Sequence, residues 1–362
     1  MSLRDQLSEA VTRIAADRCG TAVVRGDEAG ERPDALWREL AAAGLDRATA
    51  SEAAGGSGLG WRDAQALVAA AGEFAMPVPL VETLGAHALA RAAGCELGAV
   101  SAPAGFDGAA SFARLVREGD SLVAGAVPWG DRVGIVVGVA ADGGVWLLDA
   151  GRAERGDRRN QAGEVRTRMA WRAGDEGARR FERPPGGAAS ADTLAADSLA
   201  CLAAALRAGQ LAGAMRRVLA MTVRYAGERE QFGRPIGRFQ AIQQQLALMA
   251  ELVAQAAIGV ELAFDTDGPL PDPLRAACAK QVASANALQC AAIAHAVHGA
   301  IGVTGEYDLQ LFTRRLRAWA AEWGGAHAWA AALGRGLLGA GHASVWHAVI
   351  AASDGDGGGR TA

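Results

Sequence analysis

The sequence predicts an α+β chain in three parts: a helical segment over residues 1–98, a β-rich middle over 99–188 and a helical bundle over 189–348, followed by a polar tail at 349–362. Three observations carry this. Apolar residues recur every three or four positions in the outer segments. In the middle, the pattern changes to short runs of β-branched and aliphatic residues bounded by Gly and Asp. The C-terminal periodic segments run for about 20 residues or more, long for a globular average and suited to a bundle.

At 362 residues, 51% hydrophobic and 21% charged, the chain is globular and long enough for two or three packed layers or domains. A net charge of −4 supplies no electrostatic attraction for nucleic acid or an anionic membrane, and neither is expected as a partner. MSLRDQLSEAVTRIAADRCG is a polar amphipathic helix, unlike a secretion signal, and no uninterrupted apolar run of about 18 residues follows. Cys19, Cys95, Cys201, Cys278 and Cys290 are odd in number and lie in helical patterns without CxxC pairs. They read as small buried hydrophobes in a reducing cytoplasm, with neither zinc nor disulfides.

The first element after the N-terminal helix opens at Pro33, carries Leu36, Trp37 and Leu40 on one side and stops at Gly44. Gly55, Gly56, Gly58 and Gly60 then form a loop leading into a helix that ends around Phe74–Pro79. Without a preceding β-run or the dinucleotide spacing, a phosphate-binding loop is the weaker reading of these glycines. In the middle, Leu122–Ala124, Gly134–Val139 and Gly143–Leu148 are strand runs, and Asp142-Gly143 is a hairpin signal. They predict an antiparallel sheet or barrel. The Arg-dense piece from Arg152 to Arg183 is either a solvated mixed-charge face or a phosphate- or CoA-binding surface. Asp267 to Pro273 is a rigid turn between two long helices, and the tail from Ser353 is too polar and Gly-rich to pack.

Two stretches of the bundle carry chemistry. In RYAGEREQFGRPIGRFQAIQ, residues 224–243, a helix with Leu211, Met215, Val218 and Thr222 on one face is broken by Gly233, Pro235 and Gly237. A new helix starts near Phe239. Arg229, Gln231 and Phe232 therefore sit on a loop between two long helices. A guanidinium fork, an amide and a flat ring suit a phosphate-bearing aromatic ligand; the alternative is a surface Arg and a core Phe closing a hairpin. In HAVHGAIGVTGEYDLQLFTRRLR, residues 295–317, His295 and His298 lie three apart. Metal or acid–base work needs further ligands or an orienting group that the sequence does not show nearby, which favours packing histidines.

The order Tyr225-x-x-x-Arg229-x-Gln231-Phe232-Gly233-x-Pro235-Ile236-x-x-Phe239-Gln240-x-x-Gln243 resembles the signature of the acyl-CoA dehydrogenase family. The second stretch resembles that family's Gln-x-His-Gly-Gly-x-Gly…Thr-x-Glu turn, with His298, Gly299, Gly302, Thr304 and Glu306 in place and Ala296 and Ala300 as departures. The resemblance implies an acyl-CoA dehydrogenase-like fold: N-terminal helices, a middle β-barrel and a C-terminal four-helix bundle. It implies FAD as cofactor, an acyl-CoA substrate, and contact of Arg229, Gln231, Phe232, Gln240 and Gly299 with flavin nucleotide bound mainly by a neighbouring subunit. Gly125-x-x-x-Trp129 matches a further family fragment, and Trp129 is either a flavin neighbour or a core residue.

The resemblance also fails at specific places. The family's catalytic glutamate position falls on Trp323, next to Glu322; the alternative position, near Leu202–Ala204, has no carboxylate. The middle segment lacks the Thr-Glu-Pro…Gly-Ser-Asp signature, Ala99–Ala110 reading AVSAPAGFDGAA. The catalytic residue is thus unassigned. The resemblance then implies α,β-desaturation of an acyl-CoA, for example a steroid side chain or other bulky lipid, by an oligomer in which this subunit lacks the base and completes a partner's FAD site. A self-sufficient homo-oligomer with a relocated base, Glu322 or another carboxylate, and a flavin-free scaffold or acyl-CoA-binding protein, are the alternatives.

Overall fold

The structure, a computed structural model, describes residues 2–98, 105–181, 194, 197–339, 344–347 and 350. Nearly all of the polar tail and residues 99–104 of the AVSAPAGFDGAA segment lie outside them. Helices α1 (Leu3–Arg18), α2 (Thr21–Glu28), α3 (Asp34–Ala42), α4 (Trp61–Glu73) and α5 (Leu80–Ala92) form the N-terminal part. Ser2 and Asp5 close a capping box on α1. Pro33 precedes α3, with Leu36, Trp37 and Leu40 buried beneath it. The glycine loop before α4 folds on its own backbone: a Cβ at Gly56 would meet the Ala50 and Arg47 carbonyl oxygens at 2.4 Å. Glycine is required at position 56 by close approach and at Gly55 and Gly58 by positive φ, 76 and 63.

The middle part is a curled seven-stranded sheet of β1 (Ala110–Glu118), β2 (Ser121–Pro128), β3 (Ile135–Ala140), β4 (Val145–Asp149), β5 (Glu154–Gly156), β6 (Arg166–Arg172) and β7 (Ala178–Arg180), in the order β5-β6-β2-β1-β3-β4-β7. Asp142-Gly143 turns β3 into β4 as expected, with Gly143 at φ 78 and the Asp142 carboxylate accepting from the Gly144 N–H. The all-antiparallel expectation is corrected by β1 and β3, which pair in parallel with Ala110 opposite Ile135. The chain leaves β2 and crosses to the far side of β1, a choice that strand periodicity does not encode. The Arg-dense piece supplies three of the strands, and it is only partly a solvated face: Arg168 and Arg172 are exposed, while Arg166 is buried.

The C-terminal part holds α6 (Ser198–Glu228), α7 (Gln240–Phe264), α8 (Pro273–His298), α9 (Leu309–Ala321) and α10 (Ala326–Gly339). The Ala- and Gly-rich face of α6 lets α4 lie against its backbone. Asp272 caps α8 with Pro273 in the first turn. By length and composition α6 and α7 are apolar enough to cross a membrane, but they differ in burial: 89% of the apolar window of α6 is inside the protein and 28% of that of α7. Cys19, Cys95, Cys201 and Cys290 are buried and free, whereas Cys278 is exposed, which corrects its reading as a buried hydrophobe. Cys19 and Cys95 follow the ends of α1 and α5 and are not inside helices.

Candidate functional site

Arg229 is the C-cap of α6, its N–H bonded to the Tyr225 carbonyl. Glu230–Gln231 and Arg234–Pro235 then pair as a two-residue hairpin. Its turn is made by Phe232 at φ 53 and Gly233 at φ 77, the left-handed pair of a type I′ turn. Glycine adopts that geometry freely, but phenylalanine is strained there. Phe232 is also 91% exposed, touching Phe239 edge-on at 6.1 Å. The Arg229 guanidinium has no hydrogen-bond or ion-pair partner among the described residues, and the Gln231 amide bonds only the adjacent Glu230 carbonyl. Gln240 opens α7, exposed. Arg229, Gln231, Phe232 and Gln240 are thus carried on one exposed turn region. The core-Phe alternative does not hold for Phe232.

The second stretch lies against the first. Tyr225 stacks on His298 at 4.4 Å and donates its hydroxyl to the His298 carbonyl at 3.3 Å. Gly299, at φ 66, ends α8 there. His298 Nδ1 bonds the Ala294 carbonyl at 2.7 Å, and His295 Nε2 bonds the Thr313 hydroxyl at 2.9 Å. Burial pushes both imidazoles below their ordinary value, further so for His295 beside Arg317. His298 thus packs α8 against Tyr225 of α6, and His295 ties it to Thr313 of α9. Among the described residues no group of three or more His, Cys, Asp or Glu is placed to hold a metal.

Trp129 is a core residue, 3% exposed, with the Arg132 guanidinium 5.3 Å from its ring. Of its two readings, the core one describes its packing, and its contact with flavin rests on the resemblance alone. Its predecessor Pro128 lines a cavity of about 640 Å³, together with Arg114, Val116, Gly125, Arg166, Glu322 and Trp323. Trp323, at φ 57, turns the chain after α9 and packs on Phe112 at 5.8 Å. The alternative base position is apolar as well as lacking a carboxylate: Leu202, Ala203 and Ala204 are buried on α6.

Glu322 is held by four donors. Oε1 accepts from Asn160 Nδ2 and Arg166 Nε, both at 2.8 Å. Oε2 accepts from Arg166 Nη2 at 3.0 Å and Arg207 Nε at 2.8 Å. Burial by itself raises the carboxyl, but the guanidinium groups of Arg166 and Arg207 outweigh it and hold it at about 2. A proton-abstracting base near neutral pH needs a free lone pair and a pKa near the working pH. Glu322 has neither, which overturns its reading as a relocated base.

The pair extends in both directions. Arg207 reaches Glu82 at 2.9 Å, Arg166 reaches Glu164 at 2.9 Å, and Arg315 joins Glu164 to Glu28 at 3.2 and 3.1 Å. Alternating charges from α2, α5, the sheet, α6 and the end of α9 therefore meet in one buried chain. Beside it, Lys280 donates to Ser284 at 2.8 Å and to the Trp319 and Ala320 carbonyls at 3.0 Å, capping the last turn of α9. Sequence reasoning passed over Glu82, Arg166, Arg207 and Lys280. The available signal was a lone charge inside an apolar helical run, as in LVETLGAHALA and CLAAALRAGQ.

The sign of the pH dependence follows from Glu322. Its folded-state pKa lies below the ordinary 4.5, so between those values the unfolded chain binds the extra proton. The stabilisation is complete above pH 4.5 and is lost as pH falls toward 2. Thermal melts between pH 6 and 3, about the range of this titration, should show a melting temperature falling below pH 4.5, more shallowly in Glu322→Gln. Parallel slopes in the two proteins would contradict the clamp.

Two family models match the chain: the acyl-CoA dehydrogenase N-terminal domain over residues 3–97 and the C-terminal domain over residues 199–331. The acyl-CoA dehydrogenase IpdE2 of Mycobacterium tuberculosis is 34% identical over 316 residues, 86% of this chain and 90% of the relative. Among solved structures, a variant of the Tcur3481-Tcur3483 steroid ACAD superposes with a TM-score of 0.76 at 26% identity, covering 95% of this chain and 100% of that one. The ChsE4-ChsE5 complex from Mycobacterium tuberculosis gives a TM-score of 0.76 at 22% identity, over 95% and 99% of the two chains, a likeness in fold. The chain is an oxidoreductase of the acyl-CoA dehydrogenase family.

Proposed function

We propose that this chain is the base-lacking subunit of an FAD-dependent acyl-CoA dehydrogenase, and that its Arg229 turn completes the flavin site of a partner subunit. The observation that carries the reading is an asymmetry. The turn that suits a neighbour's nucleotide is exposed and its guanidinium is free of partners among the described residues, while the chain's own nearest carboxylate, Glu322, is neutralised by two arginines. The donor set fits the nucleotide: Arg229 offers a bidentate fork to a pyrophosphate, Gln231 an amide and Phe232 an accessible flat face. When bound, the flavin supplies the hydride acceptor for α,β-desaturation of an acyl-CoA thioester. The residues of this chain contribute binding and orientation, and the α-proton leaves to a base of the partner.

An assembly is further supported by α7, on which Ile258 and Leu262 are 60% and 52% exposed. Apolar side chains on a long uncovered helix mark a surface that associates. The structural relatives whose names pair two components, Tcur3481-Tcur3483 and ChsE4-ChsE5, make a second, different subunit the partner we favour.

Arg229→Ala in the co-expressed complex should weaken FAD binding about 10- to 100-fold, the cost of a charge-assisted contact, with the melting temperature of the apoprotein unchanged. Flavin content equal to that of the parent complex would refute the role given to Arg229. The visible spectrum of the chain purified alone, then with FAD and then with a Glu-bearing family subunit, separates the readings. Colour only in the last case supports the heteromer. Flavin bound by the chain alone and bleached by an acyl-CoA means a self-sufficient enzyme, and absence of flavin throughout means a scaffold.

A further inference from the structure

Three rings from three elements meet at the base of the Arg229 turn. Tyr225 stands in the last turn of α6, His298 ends α8 and Tyr307 comes just before α9. Each ring touches the other two. Tyr225 and His298 lie nearly parallel, 25° apart, while Tyr307 stands edge-on to Tyr225 at 6.0 Å and tilted on His298 at 5.1 Å. Stacked and edge-on pairs of this kind attract beyond the area they bury. The Ala294 carbonyl can only accept, so His298 Nδ1 carries a proton towards it, and Nε2 is buried with no hydrogen-bond partner. The imidazole therefore offers Tyr225 a flat face and no hydrogen bond.

Tyr225 lies one helical turn before Arg229, and its carbonyl accepts the Arg229 N–H at 2.8 Å. Beyond Arg229 the turn is tied to itself. The Ile236 N–H donates to the Arg229 carbonyl at 2.8 Å, and Gln243 Nε2 donates to the Gly237 carbonyl at 3.0 Å. The Arg234 guanidinium lies 4.2 Å from the centre of the Phe239 ring, and a Cβ at Gly237 would meet the Ala226 carbonyl oxygen at 3.0 Å. All of these contacts join residues 226–243 to one another. The ring cluster joins that unit to the end of α8 and to the turn at Gly299.

We propose that Tyr225 is a positioning residue: clamped by His298 and Tyr307, it fixes where the turn presents the Arg229 guanidinium to the flavin nucleotide of the partner subunit. The proposal rests on the role given to Arg229 above and adds what holds that group in place. A long side chain without a partner loses its freedom when it binds, and a fixed root lowers that cost. The Arg229 turn and the Gly299 turn then move as one body, although 70 residues (229 to 299) separate them in sequence.

Amide hydrogen exchange on the full chain and FAD titration of the co-expressed complex test this together. In Tyr225→Leu the Ile236 amide should exchange about tenfold faster, while amides in the middle of α6 and α8 keep their protection. FAD affinity should fall about 3- to 10-fold, the freedom regained by one long side chain. Tyr225→Phe keeps the ring and should recover most of that loss. Tyr307→Leu removes a ring from the far side of the cluster; it should act in the same direction and replaces Tyr225→Leu if that variant does not fold. Combined with Arg229→Ala, Tyr225→Leu should cost no further affinity, because it acts through the guanidinium. Unchanged exchange at Ile236, or a full additional loss in the Arg229→Ala background, would overturn the positioning role. If Arg229→Ala alone leaves FAD binding unaltered, the flavin reading of the turn falls, and faster exchange in Tyr225→Leu would still establish that the rings hold it.

Discussion

Replacing Arg207 by methionine is expected to destabilise the chain by about 3–5 kcal/mol, the cost of breaking a buried ion pair by removing one partner. Arg207 is 3% exposed and joins Glu82, 1% exposed, to Glu322. Methionine keeps much of the apolar stem, so the loss falls on the charges. Glu322 retains Arg166, whereas Glu82 loses the guanidinium that reaches it inside the protein. Chemical denaturation monitored by circular dichroism reads the effect directly. Arg207→Met/Glu82→Met should recover most of the loss, because an apolar pair of similar volume carries no desolvated charge. A single variant within about 1 kcal/mol of the parent would mean that the pair contributes no more than a surface bridge does.

Gly213→Ala should cost about 3 kcal/mol or more, although alanine favours a helix by about 1 kcal/mol over glycine. A Cβ at Gly213 would lie 2.0 Å from the Ala69 carbonyl oxygen of α4, and one at Gly72 would lie 2.0 Å from the Gln210 carbonyl oxygen of α6. Each helix supplies the glycine that the other's backbone requires, so neither collision is relieved by a rotamer change. The helices must move apart, and α6 also packs against α7, α8 and α9, which must adjust with it. Gly227 lies on the same helix with nothing within 4 Å of its would-be Cβ. Gly227→Ala is therefore the control and should be neutral or stabilising by up to about 1 kcal/mol. Equal behaviour of the two variants would show that α4 and α6 do not cross this closely.

The Arg229 turn was legible because its determinants are local. Gly233 and Pro235 stop the helix, the flanking apolar spacing marks two long helices, and the residues between them have to be on a loop. The positive φ of Phe232 was not legible. It is imposed by the hairpin, which forms only because Arg234–Pro235 folds back on Glu230–Gln231. In the same way Asp142-Gly143 announced its turn, while the parallel pairing of β1 with β3 depended on a crossover that no short pattern records.

By itself the sequence determined the three-part order, the helix breaks and the family signature, since each depends on spacing within a few turns of chain. Tertiary structure decided which charges are buried. Glu82, Glu164, Arg166, Arg207 and Glu322 lie far apart in sequence, and a lone charge in an apolar run shows neither whether it is buried nor which group neutralises it. That pairing turns Glu322 from a candidate base into a clamp, because the proton affinity of a carboxylate is set by the groups around it and not by its position in the chain.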